Sequence, residues 1–394
     1  MSDTLTDKRR NGITTTEYRG RVEALRERIR ALGLDGAIVY SDEYRCGNTL
    51  YLTGYKPINV IEESPQLVYL PVHGDPLVFL GHINVHAART VSWIEEIHPT
   101  LEIRDHLAPF AAGVERLAVV GENLMPVEIY RRLESAFPQA QFLSTPHLVG
   151  EMRQEKSADE LVWIEKACEL GDIGLREAIA ELASGKTEIE VCAVAEYATR
   201  IRGGDLGCAY IVSAGEHMTL PTWRPTHKRI EGGEVVMVDI APSFNMYCTD
   251  VAITVPIGRP SDVMRRALTT ARQVVLDVIE HTRPGQLASS MYDEMAKRLD
   301  GAGYSEYFLP YATGMRAIGH GVGLDVVEFP NLGPESDYIL EPNMVFGLKL
   351  DLHGLPFAGV RCEVTIAITD SGCRSLNKIL QEPSFLDALE NGIG

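Results

Sequence analysis

A length of 394 residues allows two domains of ordinary size, and 45 % hydrophobic with 23 % charged residues is the composition of a globular protein that folds in water. The net charge of −18, spread along the chain, argues against nucleic-acid binding and against attachment to anionic membranes. Seven cysteines without paired spacing suggest neither a disulfide framework nor a zinc cluster, and no apolar run nears the roughly 20 residues of a membrane span, so a reducing cytoplasmic setting is expected.

Residues 1–15 read as a loose arm, polar and lacking the apolar centre of a signal peptide. Tyr18, Val22, Leu25 and Ile29, spaced three or four apart among charges, predict a helix with Thr15 or Thr16 as N-cap and Gly33 as C-cap. Strands follow over DGAIVYS, QLVYLPV and DPLVFLG, the last two joined by a turn at His73-Gly74. RLAVVGEN and QAQFLST extend the alternation, which gives an α/β domain over residues 16–154.

A second domain is expected over residues 155–394. It opens with a long helix capped by Ser157, and TEIEVCAVAEYATRI makes another. VVMVDIAP and CTDVAITVPI read as adjacent strands of a hairpin. Helices over SDVMRRALTTARQVVLDVIEHT, ended by Pro284-Gly285, and over LASSMYDEMAKRLDGAG come next, and MVFGLKLDLHG with RCEVTIAITD forms a final hairpin. Helices followed by paired strands, then repeated, describe an α+β domain.

Five polar residues in these apolar strands and glycine-rich turns carry the chemistry. Asp239 interrupts VVMVDIAP, where a carboxylate costs several kcal/mol unless it is paired or binds a metal, or else it faces the surface. Asp250 shares a strand face with Thr254, four residues on. His320 sits among glycines in GHGVGLD. Glu363 has Arg361 on its own face, so an ordinary ion pair is the alternative to a site role. Lys349 and Asp351 share one face of GLKLDL, and the alternative there is a solvent-facing pair.

Taken together, VMVDIAPSFNMYCTDVAIT, AIGHGVGLDVVEFP and EPNMVFGLKLDLHGLPFAGVRCEVTIAIT resemble the pita-bread catalytic domain shared by methionine aminopeptidases, Xaa-Pro aminopeptidases, prolidases and creatinase. The segment KSADELVWIEKA is similar to the opening of that domain in prolidase and creatinase relatives. The resemblance implies an α/β creatinase-like N-terminal domain before an α+β pita-bread catalytic domain. It also implies a two-metal site of two Asp, one His and two Glu. Asp239, Asp250, His320 and Glu363 fall on four of those positions; the fifth, fourteen residues before Glu363, is Lys349. An ammonium has no lone pair and cannot bind a metal. Thr222 and Val327 stand where the proline-specific peptidases carry histidines.

The expectation from these departures is a site without a metal, Lys349 replacing it. The alternative is one divalent ion (Mn, Fe or Zn) at Asp239, Asp250 and Glu363, with His320 as a further ligand. The expected activity is hydrolysis of a non-peptide C–N bond (amidine, ureido, guanidino or lactam) in a small polar metabolite by a creatinase-like homodimer. His320, Glu363, Lys349, Asp239 and Asp250 would be catalytic. Thr222, Trp223, Arg224, His217, His353, Tyr55 and Glu62 would contact substrate. The alternatives are an Xaa-Pro dipeptidase or aminopeptidase with a single ion, and a lyase or a non-catalytic binding protein on the same fold.

Overall fold

In the computed structural model, which describes residues 12–56, 64–205, 209–219, 224–308 and 317–394, the chain divides into two units, Met1–Arg153 and Gln154–Gly394. The first opens with α1 (Thr15–Ala31), whose Tyr18, Val22, Leu25 and Ile29 are all buried. Its N-cap is Thr14, one residue before the expected position. Thr14 is the last residue with extended backbone, and its hydroxyl accepts from Glu17 N at 3.1 Å.

The rest of this unit runs β1 (Gly36–Ser41), α2 (Gly47–Thr53), β2 (Gln66–Pro71), β3 (Leu77–Leu80), α3 (His82–Val91), β4 (Ile97–Pro99), α4 (Ile103–Leu107), β5 (Arg116–Val120), α5 (Val127–Ala136) and β6 (Gln141–Ser144). The strands form one mixed six-stranded sheet in the order β4-β3-β2-β1-β5-β6, with β4 and β6 at its edges. Ile38, Leu67, Tyr69, Phe79, Leu117, Leu133 and Phe137 pack as its core.

The second unit begins with α6 (Ala158–Glu181) and α7 (Glu188–Arg200). Each starts with a reciprocal capping box, Ser157 with Glu160 and Thr187 with Glu190, so free N–H groups at both helix starts are satisfied. Then come β7 (Tyr210–Ala214), β8 (Val235–Ile240), β9 (Ser243–Phe244), β10 (Tyr247–Cys248), β11 (Val251–Pro256), α8 (Asp262–His281), α9 (Ser289–Ala302), β12 (Gly319–Gly321), β13 (Glu328–Leu332), β14 (Val345–Leu355), β15 (Ala358–Ile368), β16 (Cys373–Ser375) and α10 (Pro383–Asn391). An eight-stranded sheet runs β13-β12-β14-β15-β11-β8-β7, with β16 added to β15. Val238, Ile240, Leu348, Leu350, Val364 and Ile366 join residues of α6, α7, α8 and α9 in the core. The fold is thus a creatinase-type N-terminal unit followed by a pita-bread unit. Among the described residues no helix is long and apolar enough to cross a membrane.

One ion pair in the second unit is fully enclosed. Lys156, just before α6, places Nζ 2.7 Å from Glu328 Oε1 on β13, and both side chains are buried. Removing one partner strands a charge in an apolar setting. We therefore expect Lys156→Met to lower stability by about 3–5 kcal/mol in urea denaturation, and Lys156→Met with Glu328→Gln to recover a large part of that loss.

Candidate active site

Directly paired strand residues share a face, and neighbours along a strand alternate. Ala252 on β11 is opposite both Asp239 on β8 and Glu363 on β15, and Glu363 is opposite Lys349 on β14. Asp239, Glu363 and Lys349 therefore project in one row from one face. Asp250 precedes Ala252 by two residues and Gly347 precedes Lys349 by two, so both share that face; His320 on β12 pairs with Gly347. Two residues the other way, Asp351 and Arg361 pair with each other. The intervening apolar residues, Val238, Leu348 and Val364 among them, point into the core. Period-two alternation thus separates a polar face from the core.

On this face Asp250, His320 and Glu363 are buried, and one ligand atom of each lies within 4.8 Å of the others. His320 Nδ1 is 3.1 Å from the Gly321 carbonyl, which can only accept, so this nitrogen carries a proton. Nε2 is turned to Asp250 Oδ2 at 3.4 Å. Glu363 Oε1 is buried with no hydrogen-bond partner among the described residues. A Cβ on residue 347 would sit 3.2 Å from that oxygen and 3.4 Å from His320 Cε1, so only glycine leaves this space open. An orphaned carboxylate oxygen, a second carboxylate and an imidazole with its far nitrogen anchored form a donor set that fits one divalent ion of the Mn, Fe or Zn kind.

Asp239 is placed differently. Arg361 Nη1 donates to its Oδ2 at 2.7 Å, while Nε and Nη2 of the same guanidinium reach Asp351 at 2.7 and 3.3 Å. The cluster of candidate donors therefore joins His320 to Asp250 and Glu363, while Asp239 is engaged by Arg361. With the carboxylates ionised and His320 neutral, as a ligand imidazole must be, Asp239, Asp250, Asp351 and Glu363 face the cations Lys349 and Arg361. Two negative charges remain, which one divalent ion balances.

The titration behaviour follows from this crowding. Burial, and then the Asp250 charge, push Glu363 up to about 7 against the pull of Lys349. Burial also raises Asp239 in spite of Arg361. Burial acts against ionised Asp351 too, yet Arg361 prevails and its value falls. For Lys349 burial opposes the charge, but Glu363 and Asp351 outweigh it and the value rises. Burial likewise opposes the His320 cation, and the bond and charge of Asp250 raise it overall.

The expected substrate contacts scatter. His353 continues the Lys349–Asp351 face on β14 and is half-buried, with burial lowering its pKa. His217 Nδ1 lies 2.9 Å from Glu188 Oε1. Fully buried Glu188 also accepts from Ala214 N, Thr226 N and Thr226 Oγ1. Sequence reasoning missed this organiser of the loop, because Glu188 looks like any acidic residue in a helix first turn. Arg224 is exposed and lines a cavity of about 590 Å³ with Cys192, Glu196, Tyr210 and Ile211. Ile211 is the cross-strand neighbour of Asp239. Tyr55 is buried in the first unit, its hydroxyl donating to Asn84 Oδ1 at 2.8 Å. Thr222, Trp223 and Glu62 lie outside the described residues. Val327 is 62 % exposed.

Comparison with known proteins matches residues 163–370 to metallopeptidase family M24 and residues 21–154 to the creatinase/prolidase N-terminal domain. An Xaa-Pro dipeptidase of Lactobacillus delbrueckii subsp. lactis is 26 % identical, with 94 % of this chain and 100 % of the relative covered. An Xaa-Pro dipeptidase of Pyrococcus horikoshii is 30 % identical over 68 % of this chain and 75 % of its own length. The crystal structure of the prolidase from Pyrococcus horikoshii OT3 has the same fold, with a TM-score of 0.80 at 24 % identity, covering 91 % of this chain and 98 % of that one.

These findings correct two expectations. The relatives are named for peptide substrates, which overturns the non-peptide C–N hydrolase, and a metallopeptidase family with a donor triad in place overturns the metal-free site. The physical reason lies in which ligand was lost. Lys349 stands outside the Asp250–His320–Glu363 group, so the cation leaves those donors together.

The raised Glu363 value sets a pH dependence. The unfolded chain gives up this proton near 4.5 and the folded protein near 7, so the folded form holds more protons between them. Stability of the chelated protein is expected to fall as pH rises through that window. Glu363→Gln should flatten that part of the profile, as read by urea unfolding at several pH values.

Proposed function

The chain belongs to metallopeptidase family M24, and on that premise we propose that it is an Xaa-Pro dipeptidase working with a single divalent ion. It is a hydrolase of C–N bonds in the creatinase and aminopeptidase P superfamily. The observation that carries the single-ion reading is the buried triad Asp250, His320 and Glu363 around an orphaned carboxylate oxygen. The departures at Lys349, Thr222 and Val327 make the chain a divergent member.

In this reading Asp250, His320 and Glu363 hold the ion, which supplies Lewis acidity toward a carbonyl oxygen and a lowered pKa for water. Lys349, across from Glu363, does the electrostatic work of a second ion. Its ammonium balances the carboxylates and offers N–H donors to negative charge developing on this face. Arg361 fixes Asp239 and Asp351, so the Asp239 carboxylate holds its position beside Ala252 without a metal. His353 offers an imidazole on the Lys349 face, where it can move a proton. Arg224 at its cavity offers a guanidinium to the carboxylate of a dipeptide. Assembly as a homodimer is part of the same proposal.

Elemental analysis of the purified protein, with hydrolysis of Xaa-Pro dipeptides measured before and after chelation, tests the reading. One ion per chain held through Asp250, His320 and Glu363, its loss in Glu363→Gln, and hydrolysis lost on chelation are expected; cleavage indifferent to chelation, or a loaded protein inert to every Xaa-Pro dipeptide, overturns it. Lys349→Met should keep the ion and lower kcat by roughly 10²–10³-fold. Lys349→Glu should add one ion to the number bound per chain.

A further inference from the structure

The first unit holds a separate group of nitrogen and oxygen donors. His98 lies in β4, Glu102 in the single helical turn that follows, and His106 on α4. Glu102 and His106 are four residues apart along helical turns, which brings their side chains to one side, and His98 joins them from the end of β4. One ligand atom from each of the three lies within 4.8 Å of the others. The two imidazoles stack, their centroids 3.5 Å apart, and both rings lie near Phe79. His98 Nε2 is 3.0 Å from Glu96 Oε2 and His106 Nε2 is 3.2 Å from Glu102 Oε2. The His98 side chain is only 12 % exposed, and that of His106 36 %.

We propose that His98, Glu102 and His106 bind a divalent ion of the zinc class, with water completing its shell. Two imidazoles and a carboxylate are donors that suit Zn²⁺, Co²⁺ or Ni²⁺ and disfavour Mg²⁺ and Ca²⁺, which take oxygen ligands. Stacking near Phe79 gives the rings a fixed direction before any ion arrives. A modest swing of half-exposed Glu102 closes the set around the ion, and Glu96 remains beside His98. Its structural consequence is a clip. β4 is a three-residue edge strand, and the ion ties it to α4 through side chains rather than backbone hydrogen bonds alone. The proposal is independent of the peptidase reading, since these residues and the Asp250–His320–Glu363 group lie in different units.

Calorimetric titration of the metal-stripped full chain with Zn²⁺, and visible spectra of the Co²⁺ form, test it. Glu363→Gln should still bind one Zn²⁺ per chain through the histidine pair, and adding His106→Gln should weaken that event at least about tenfold. His106→Gln alone should leave Xaa-Pro hydrolysis unchanged while one ion is lost from the wild-type count. Glu102→Gln should lower the affinity by a smaller factor, and Mg²⁺ should not compete. Equal Zn²⁺ stoichiometry and affinity in wild type and in the His98→Gln, His106→Gln double variant would overturn the proposal. So would a Co²⁺ spectrum of Glu363→Gln that is indistinguishable from that of the aqueous ion.

Discussion

The register between β14, β15, β11 and β8 is the constraint on which this protein depends. It sets Lys349 opposite Glu363, and Ala252 between Glu363 and Asp239. A slip by one residue in any of these strands would turn its charged groups into the core and its leucines and valines outward. Apolar burial on one face therefore enforces the chemistry on the other. The helices need never touch the site to hold it in place.

Four carboxylates on one sheet face would repel each other and resist desolvation without counter-charges. The chain meets this with two fixed cations of different kinds. Arg361 has the planar fork that grips Asp239 and Asp351 together, a task a point charge performs poorly. Lys349 is a compact charge opposite Glu363. What is left over is the orphaned oxygen of Glu363 and the neighbouring charges of Asp250 and Glu363, and in the proposed single-ion reading that unsatisfied charge would drive the binding of an ion. Gly347 keeps the space for it.

Much of this was legible from the sequence because its signals are local. Alternation marked β8, β14 and β15, the Ser157 cap marked the start of α6, and the resemblance singled out the five residues, Asp239, Asp250, His320, Lys349 and Glu363, that share one sheet face. The arm at residues 1–11 and the segment with Thr222 and Trp223 fall outside the described residues. The reading went astray where it asked three local departures to decide a collective property. Lys349 in place of a carboxylate was taken to remove the metal, and with Thr222 and Val327 in place of histidines to remove peptide substrates. Whether the surviving donors still converge depends on three strands that are distant in the chain, and they do converge. The Arg361 clamp escaped for a related reason. Its strand neighbour Glu363 is the obvious partner in sequence, yet the guanidinium turns to Asp239, 122 residues away, and to Asp351 across the hairpin.

The sequence by itself determined the two-unit α/β and α+β architecture, the strands that carry the site and the identity of its charged residues, because periodicity, caps and motif spacing are properties of neighbouring residues. Only the tertiary structure decided the allocation of those charges: His320 joining Asp250 and Glu363, Asp239 given to Arg361, and His98, Glu102 and His106 gathered around one point. Each of these is fixed by distances between side chains, and those distances exist only once sheet register, burial and chain turns bring the elements together.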